Sequence, residues 1–379
     1  MTINHDKAIK EYRKLGVPEG LFDPTECPLN IAKYFTIITE RASGKTTNVL
    51  LYGLVCNKLF GTVIQYIRRD DSMLAPKNAN SLMETIIYNG YVEKLTGGKY
   101  NNMIYKSRRW YYCRYEEDVL VETAKDPCVQ CLSVDNSEVY KSSLNQPNGD
   151  FIVFDEMCSR RHLQDEFILF CDILSTIIRS RTEGITIWML GNTIDRYDYY
   201  FDELEIADYM KYLQIGENAL VKTSKGTPIY IEIFSPKKRT MKEKVNLIFF
   251  GFKNSKLNAI TGEDWLIVPY QHIDRCDERE IIDRSHFIVY ENNLIQLDIV
   301  NSEKYGVHVI AHKSTNTEYE GIYYTTDHLK DIRYRFRYGF SPVDRMIWTL
   351  YDRKKFFYAT NSDAAIVQKY VNVADKATA

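Results

Sequence analysis

At 379 residues, with 45% hydrophobic and 26% charged side chains, the chain is long enough for two or three cores and has the composition of a soluble globular protein. A net charge of −2 excludes a globally basic nucleic-acid binder, so any such surface must be local. No apolar run approaches the roughly 20 residues that span a bilayer, and the opening Met-Thr-Ile-Asn-His-Asp-Lys is no signal peptide, which points to the cytosol and away from a membrane.

Residues 4–15 read as a short amphipathic helix stopped by Gly16. The apolar run Tyr34–Ile38 reads as a strand and leads into Thr39-Glu40-Arg41-Ala42-Ser43-Gly44-Lys45-Thr46, after which a helix is expected over 45–60. A strand, a Gly-Lys-Thr turn and a helix N-terminus together make a phosphate cradle, because turn N–H groups and the helix dipole both face an anion there. Lys45 would add a point charge to the same oxygens, and Thr46 a hydroxyl for Mg²⁺. The usual first Gly of this motif is Thr39 here, which predicts a looser turn. Because Gly-Lys-Thr is common by chance, a second element has to decide the matter.

Strand 62–67 ends in Arg68-Arg69, a helix is expected near 79–96, and the Tyr-rich stretch 101–122 alternates like an antiparallel insertion. Strand 128–134 holds Cys128 and Cys131; with no second Cys or His pair at zinc spacing, these read as buried reduced thiols. Then comes Phe151-Ile152-Val153-Phe154, wholly apolar, followed by Asp155-Glu156. A strand buried on both faces has that pattern, and ligands of open α/β sheets bind at the carboxyl ends of strands. Asp155 suits the Mg²⁺ shell beside Thr46, and Glu156 suits a base on the attacking water. This is the deciding element, and it makes the first 200 residues an ATPase core.

A helix over 164–180 and a strand over 185–190 complete an alternating α/β pattern, hence a mostly parallel sheet. The second strand ends in Gly191-Asn192, where Asn192 is either a sensor of the γ-phosphate or part of a plain turn. Arg179 and Arg181 close the helix; they either complement its dipole or reach a neighbouring subunit's nucleotide as an arginine finger. Arg68, Arg69 and Lys141 face either phosphate, a subunit boundary or solvent. Beyond residue 200 a strand at 228–234, the basic run Lys237-Lys238-Arg239 and a polar helical segment 240–262 suggest a linker region over 201–275. Residues 276–379 give successive strands at 286–290, 294–300 and 307–312 and then helices near 342–357 and 362–372, a separate α+β domain. Two basic-aromatic stretches, Lys106–Tyr112 and Arg333–Tyr338, could each place arginines on one strand face for phosphate contact, or be ordinary half-buried strands.

These pieces, in this order, resemble the DNA-packaging ATPases of small tailed phages with protein-primed linear genomes. The resemblance is carried by Tyr34–Thr46, Tyr66-Ile67-Arg68-Arg69, Ser137–Ser142, Phe151–Glu156, Ile178–Arg181 and Gly191-Asn192, with Arg41 placed as in packaging P-loops. It implies an additional-strand, catalytic-glutamate P-loop ATPase that forms a ring of five copies at the portal of a procapsid in the host cytoplasm. Such a ring drives double-stranded DNA inward, with a structural RNA assisting in some members. It further implies ATP and Mg²⁺ as cofactors, with Arg41, Ser43, Gly44, Lys45, Thr46, Thr47 and Lys141 around the nucleotide and Thr46 and Asp155 on the metal. Glu156 becomes the base, Arg179 the finger acting on the adjacent subunit with Arg181 as its substitute, and Asn192 the sensor. The C-terminal domain is expected to be RNase H-like and non-catalytic. The competing reading is a terminase-type large subunit with an active nuclease built on Glu291, Asp298, Asp327, Asp331 and Asp344; a slow P-loop assembly factor is a third.

Overall fold

Apolar segments that alternate with helices along the sequence pair side by side as parallel strands. In the computed structural model these are β1 (Tyr34–Thr39), β2 (Ile64–Arg68), β6 (Val129–Ser133), β7 (Phe151–Asp155), β8 (Thr186–Asn192) and β10 (Pro228–Phe234). The structure describes residues 3–40, 43–143, 148–159, 162–163, 165–192, 197–235, 270–273, 277–290, 293–314, 320–326, 333–337 and 341–377. The chain divides into two units, Met1–Leu266 and Ile267–Ala379.

The first unit's sheet runs β3-β4-β6-β2-β7-β8-β1-β10-β9, where β3 is Asn102–Lys106, β4 Arg109–Glu116 and β9 Asn218–Lys222, and β5 (Val119–Thr123) pairs with β4. The strands β3, β4 and β5 are the antiparallel insertion, and β9 is an antiparallel edge. The strand β8 lies between the P-loop strand β1 and the Asp-Glu strand β7, in parallel register with both. The sheet also continues past residue 200, because β10 hydrogen-bonds along the whole of β1, from Tyr34 opposite Ile229 to Thr39 opposite Phe234.

Both faces of the central strands are covered, which is why they read as continuous apolar runs. Phe151 and Val153 join a core with Phe35, Trp188 and the helix Lys45–Phe60; Ile152 and Phe154 point the other way, into a core with Met189, Phe170 and Tyr200. The helix Lys45–Phe60 is buried from Asn48 to Cys56 and packs close to the sheet at Gly53. A Cβ there would lie 2.7 Å from Ile64 Cδ1 and 2.9 Å from the Phe151 ring. The helix expected near 79–96 is broken into Pro76–Ala79, Glu84–Tyr88 and Tyr91–Thr96; Gly90, at φ 68°, turns the chain between the last two. Cys128 and Cys131 are buried and free, as their alternating strand suggests. Among the described residues no helix is long and apolar enough to cross a membrane.

In the second unit β11 (Ile281–Tyr290), β12 (Asn293–Ser302) and β13 (Gly306–Lys313) form an antiparallel meander. Later strands add in parallel: β14 (Ile322–Thr325) beside β11, β15 (Tyr334–Arg335) beside β14, and β16 (Phe356–Tyr358) beside β13. The helices Pro342–Asp352 and Asn361–Ala377 pack on this sheet through Ile347, Trp348, Val367 and Tyr370. Segment 236–269, with Lys237–Arg239 and the expected polar helix, lies outside the described residues, as do Cys276, Glu291, Asp327 and Asp331.

Candidate nucleotide site

Parallel strands point all their carboxyl ends the same way, so β1, β2, β7 and β8 deliver Thr39, Arg68, Asp155 and Asn192 to one edge of the sheet. The helix Lys45–Phe60 starts at that edge from Gly44, whose φ of 81° suits glycine. A Cβ at Gly44 would also meet Leu21 Cβ at 3.1 Å. Among the described residues no side chain caps this helix N-terminus, which leaves its N–H groups for an anion.

The substituted position of the turn is closed by side chains rather than left loose. Ser43 Oγ donates to Thr39 Oγ1 at 2.6 Å, and Thr39 Oγ1 donates to the Glu40 carbonyl at 2.7 Å. Lys45, nearly buried, places Nζ 2.6 Å from Asn192 Oδ1. Thr46 Oγ1 donates to Asp155 Oδ1 at 3.1 Å. A hydroxyl and a carboxylate side by side are hard oxygen ligands of the kind Mg²⁺ takes, so this donor set fits the metal the motif implies. Thr47 is half-buried on the first turn of the helix. Arg41 lies outside the described residues, and Lys141 belongs to the helix Ser137–Ser143 with its side chain outside them.

Asp155 and Glu156 are both held from β2. Tyr66 donates its hydroxyl to Asp155 Oδ2 at 2.8 Å, and Arg68 Nη1 stands 3.3 Å from the same oxygen. Arg68 Nη2 pairs with Glu156 Oε2 at 2.6 Å. Glu156 itself sits at φ 61°, in the left-handed region that a glutamate seldom adopts. Sequence reasoning placed Arg68 near the site without a partner; the signal available was its position at the end of a strand next to the Asp-Glu strand. Below these groups Arg69 forms a buried ion pair with Glu166, at 2.8 Å and 3.0 Å. His162 follows, 3.5 Å from Glu166 and 3.2 Å from Asp198. Burial alone would lower His162, but Asp198 and then Glu166 outweigh it and push its pKa up to about 9. Burial likewise raises Glu166, and its bonds to His162 and Arg69 win, bringing it down to about 2.

The structure does not bring Arg179 or Arg181 to this edge. Both precede β8, at the amino ends of the strands, and β7's five residues separate the two edges by about 15 Å. Arg181 is tied to Asp150 and to the carbonyls of Ile177 and Ile178 within its own chain. Arg179 is exposed, with Nε on the Thr176 carbonyl at 3.3 Å.

The basic-aromatic stretches divide. Lys106 and Arg109 remain exposed at the β3–β4 hairpin, whereas Arg108 pairs with Asp71. In the second unit Arg335 pairs with buried Asp344 at 2.7 Å. Arg337 is buried over the Trp348 and Tyr351 rings and pairs with Asp352, so these two arginines serve packing rather than an outward phosphate face. Of the five carboxylates named for a nuclease, the two described ones are also engaged. Asp298 accepts from Gln296 at 2.7 Å and lies 3.3 Å from His312, while Asp344 caps the helix Pro342–Asp352 and accepts from Tyr324 at 2.6 Å.

The sheet order and this cradle make the first unit a mostly parallel α/β sheet with a glycine-lysine-threonine turn at its carboxyl edge. Among solved structures the chain is similar to the Phi-28 gp11 DNA packaging motor, with a TM-score of 0.62 and 13% identity over 94% of this chain and 98% of that one. It is similar also to the bacteriophage Phi-29 viral genome packaging motor assembly, with a TM-score of 0.59 and 15% identity over 93% and 99%. The chain thus has the fold of the phage DNA-packaging motors along nearly its full length. No family model matches the sequence, and no curated protein matches it.

Proposed function

We propose that this chain is the ATP-driven motor of a phage, translocating double-stranded DNA into a procapsid as a ring of identical subunits. The observation that carries the reading is the cradle of Lys45, Thr46, Asp155, Glu156 and Asn192 on one sheet edge, within a fold shared with packaging motors over both units. ATP with Mg²⁺ supplies the bond to be broken. Lys45 exchanges Asn192 for phosphate oxygens, which leaves the Asn192 amide to sense the γ-phosphate. Thr46 and Asp155 hold the cation, with Tyr66 fixing the second carboxylate oxygen. Glu156 takes the proton of the attacking water, and to do so its carboxylate has to leave Arg68. Ser43, Gly44 and Thr47 line the phosphates, and the resemblance assigns Arg41 and Lys141 to the same nucleotide.

Arg179 acts in trans on the adjacent subunit's nucleotide, because its side chain faces solvent and Arg181 is committed to Asp150. The antiparallel meander with later strands added in parallel supports an RNase H-like second domain. The pairing of Asp298 and Asp344 with neighbouring donors supports its being non-catalytic. Double-stranded DNA, further copies of the chain, the portal of the procapsid and a packaging RNA are the partners this assembly implies, in the host cytoplasm.

The test is steady-state ATP hydrolysis with and without double-stranded DNA at two salt concentrations, with Glu156→Gln as control. DNA stimulation that weakens with salt, and loss of turnover by roughly 10²–10⁴-fold in the control, are expected. Hydrolysis indifferent to both DNA and procapsids would replace the motor by an assembly factor.

A further inference from the structure

Arg69 touches none of the atoms that hydrolysis changes, yet it is built into the segment that carries Glu156. It follows β2 directly, and the Asp135 N–H holds its carbonyl at 3.1 Å. Its guanidinium serves four acceptors at once. Nε donates to Glu166 at 2.8 Å and 3.0 Å, Nη2 to the Met157 carbonyl at 2.8 Å, and Nη1 to the Glu156 carbonyl at 3.3 Å. Glu166 has no exposed side-chain surface and also accepts the Leu163 N–H at 2.7 Å and the Tyr200 hydroxyl at 3.0 Å. A buried carboxylate so saturated is a fixed post, and Arg69 is a strut from that post to two backbone carbonyls.

The same stretch is gripped from its other side, since the Met157 N–H donates to the Leu190 carbonyl of β8 at 2.9 Å. The peptide between Glu156 and Met157 is therefore fixed at its carbonyl by Arg69 and at its N–H by β8. Directly before that peptide stands the left-handed φ of Glu156. Such a conformation persists where its surroundings over-determine it.

We propose that Arg69, anchored on Glu166, is a positioning residue that holds the Glu156–Met157 backbone in this conformation and so aims the Glu156 carboxylate at the attacking water. The proposal rests on Glu156 being the base. Neighbouring Arg68 acts on the carboxylate, Arg69 on the backbone beneath it, so successive residues of one strand end control the two halves of the same glutamate. A lysine at 69 keeps the charge but lacks the planar fork that spans carboxylate and carbonyls together.

The experiment measures ATP hydrolysis by the full chain with Mg²⁺, ATP affinity with a fluorescent analogue, and melting temperature. It compares Arg69→Lys and Glu166→Gln, each alone and combined with Glu156→Gln. Arg69→Lys is expected to lower kcat by about 10- to 100-fold with KM and affinity within about twofold, and to add no further loss in the Glu156→Gln background. A Glu156→Gln chain that turns over normally would remove the base assignment itself, a different failure from that of the strut. With that control inactive, an Arg69→Lys chain of normal kcat overturns the proposal. An undiminished loss on top of Glu156→Gln does the same, because the residue then acts elsewhere. Should neither Arg69→Lys nor Glu166→Gln fold, the pair is a structural element only and the proposal falls.

Discussion

Removing the charge from His162 should cost stability in alkali, and the structure sets both sign and size. The ring lies between Asp198, Glu166 and the Arg69 guanidinium, at 3.2 Å, 3.5 Å and 3.5 Å, with the Tyr199 and Tyr200 rings against it. Burial would lower the ring's pKa, but Asp198 and Glu166 outweigh it, so it rises from 6.5 to about 9 on folding. A group whose pKa rises on folding adds stability that is complete below its unfolded value and is lost as pH climbs through the folded one. Moving a histidine from 6.5 to about 9 is worth roughly 3 kcal/mol. Urea unfolding of the wild type and of His162→Gln, followed by fluorescence from pH 6 to pH 10, measures it. The wild type should lose up to that amount relative to the variant, with most of the change between about pH 6.5 and 9. Parallel stability curves for the two chains would show that the His162 pKa does not change on folding and would refute the reasoning.

Mixing Arg179→Ala protomers with Glu156→Gln protomers should restore hydrolysis, since each supplies what the other lacks; a mixture as inactive as its parts would rule out Arg179 acting in trans. Arg181→Ala should destabilise the chain by roughly 1–3 kcal/mol by stranding Asp150, whereas Arg179→Ala should shift its melting temperature far less. Gly53→Val should cost roughly 1–3 kcal/mol, as its Cβ meets Ile64 and Phe151 inside packing distance. An unchanged urea midpoint for Gly53→Val would mean that the helix can retreat from the sheet.

The sequence made the central strands legible because both their faces are buried: Phe151–Phe154 could hardly be anything else. Thr46 and Asp155, read as two halves of a metal site 109 positions apart, lie within hydrogen-bond distance. Lys45 meeting Asn192 was readable only as two separate motifs, since nothing local encodes a contact across 147 positions. Glu166 read as one more acid at the start of a helix, where a dipole argument is sufficient to explain it; its pairing with Arg69 depends on the sheet order. The single helix expected near 79–96 is instead interrupted, with Glu84–Tyr88 and Tyr91–Thr96 separate, because apolar spacing continues across Gly90 while the backbone does not. Arg335 and Arg337 had the alternation of an outward basic face, but buried Asp344 and the Trp348 ring lie on the inner side and draw them in.

The left-handed backbone at Glu156 bears on how such a protein can change over generations. Glycine would relax that position by about 1 kcal/mol or more and would need no strut beneath it. A lineage drifting under selection for stability alone would be pulled towards glycine there, and its descendants would fold better while losing the carboxylate. Should Glu156→Gln abolish turnover, a glutamate at this glycine-shaped position would be explained by selection for activity over stability, written in the backbone rather than in the motif.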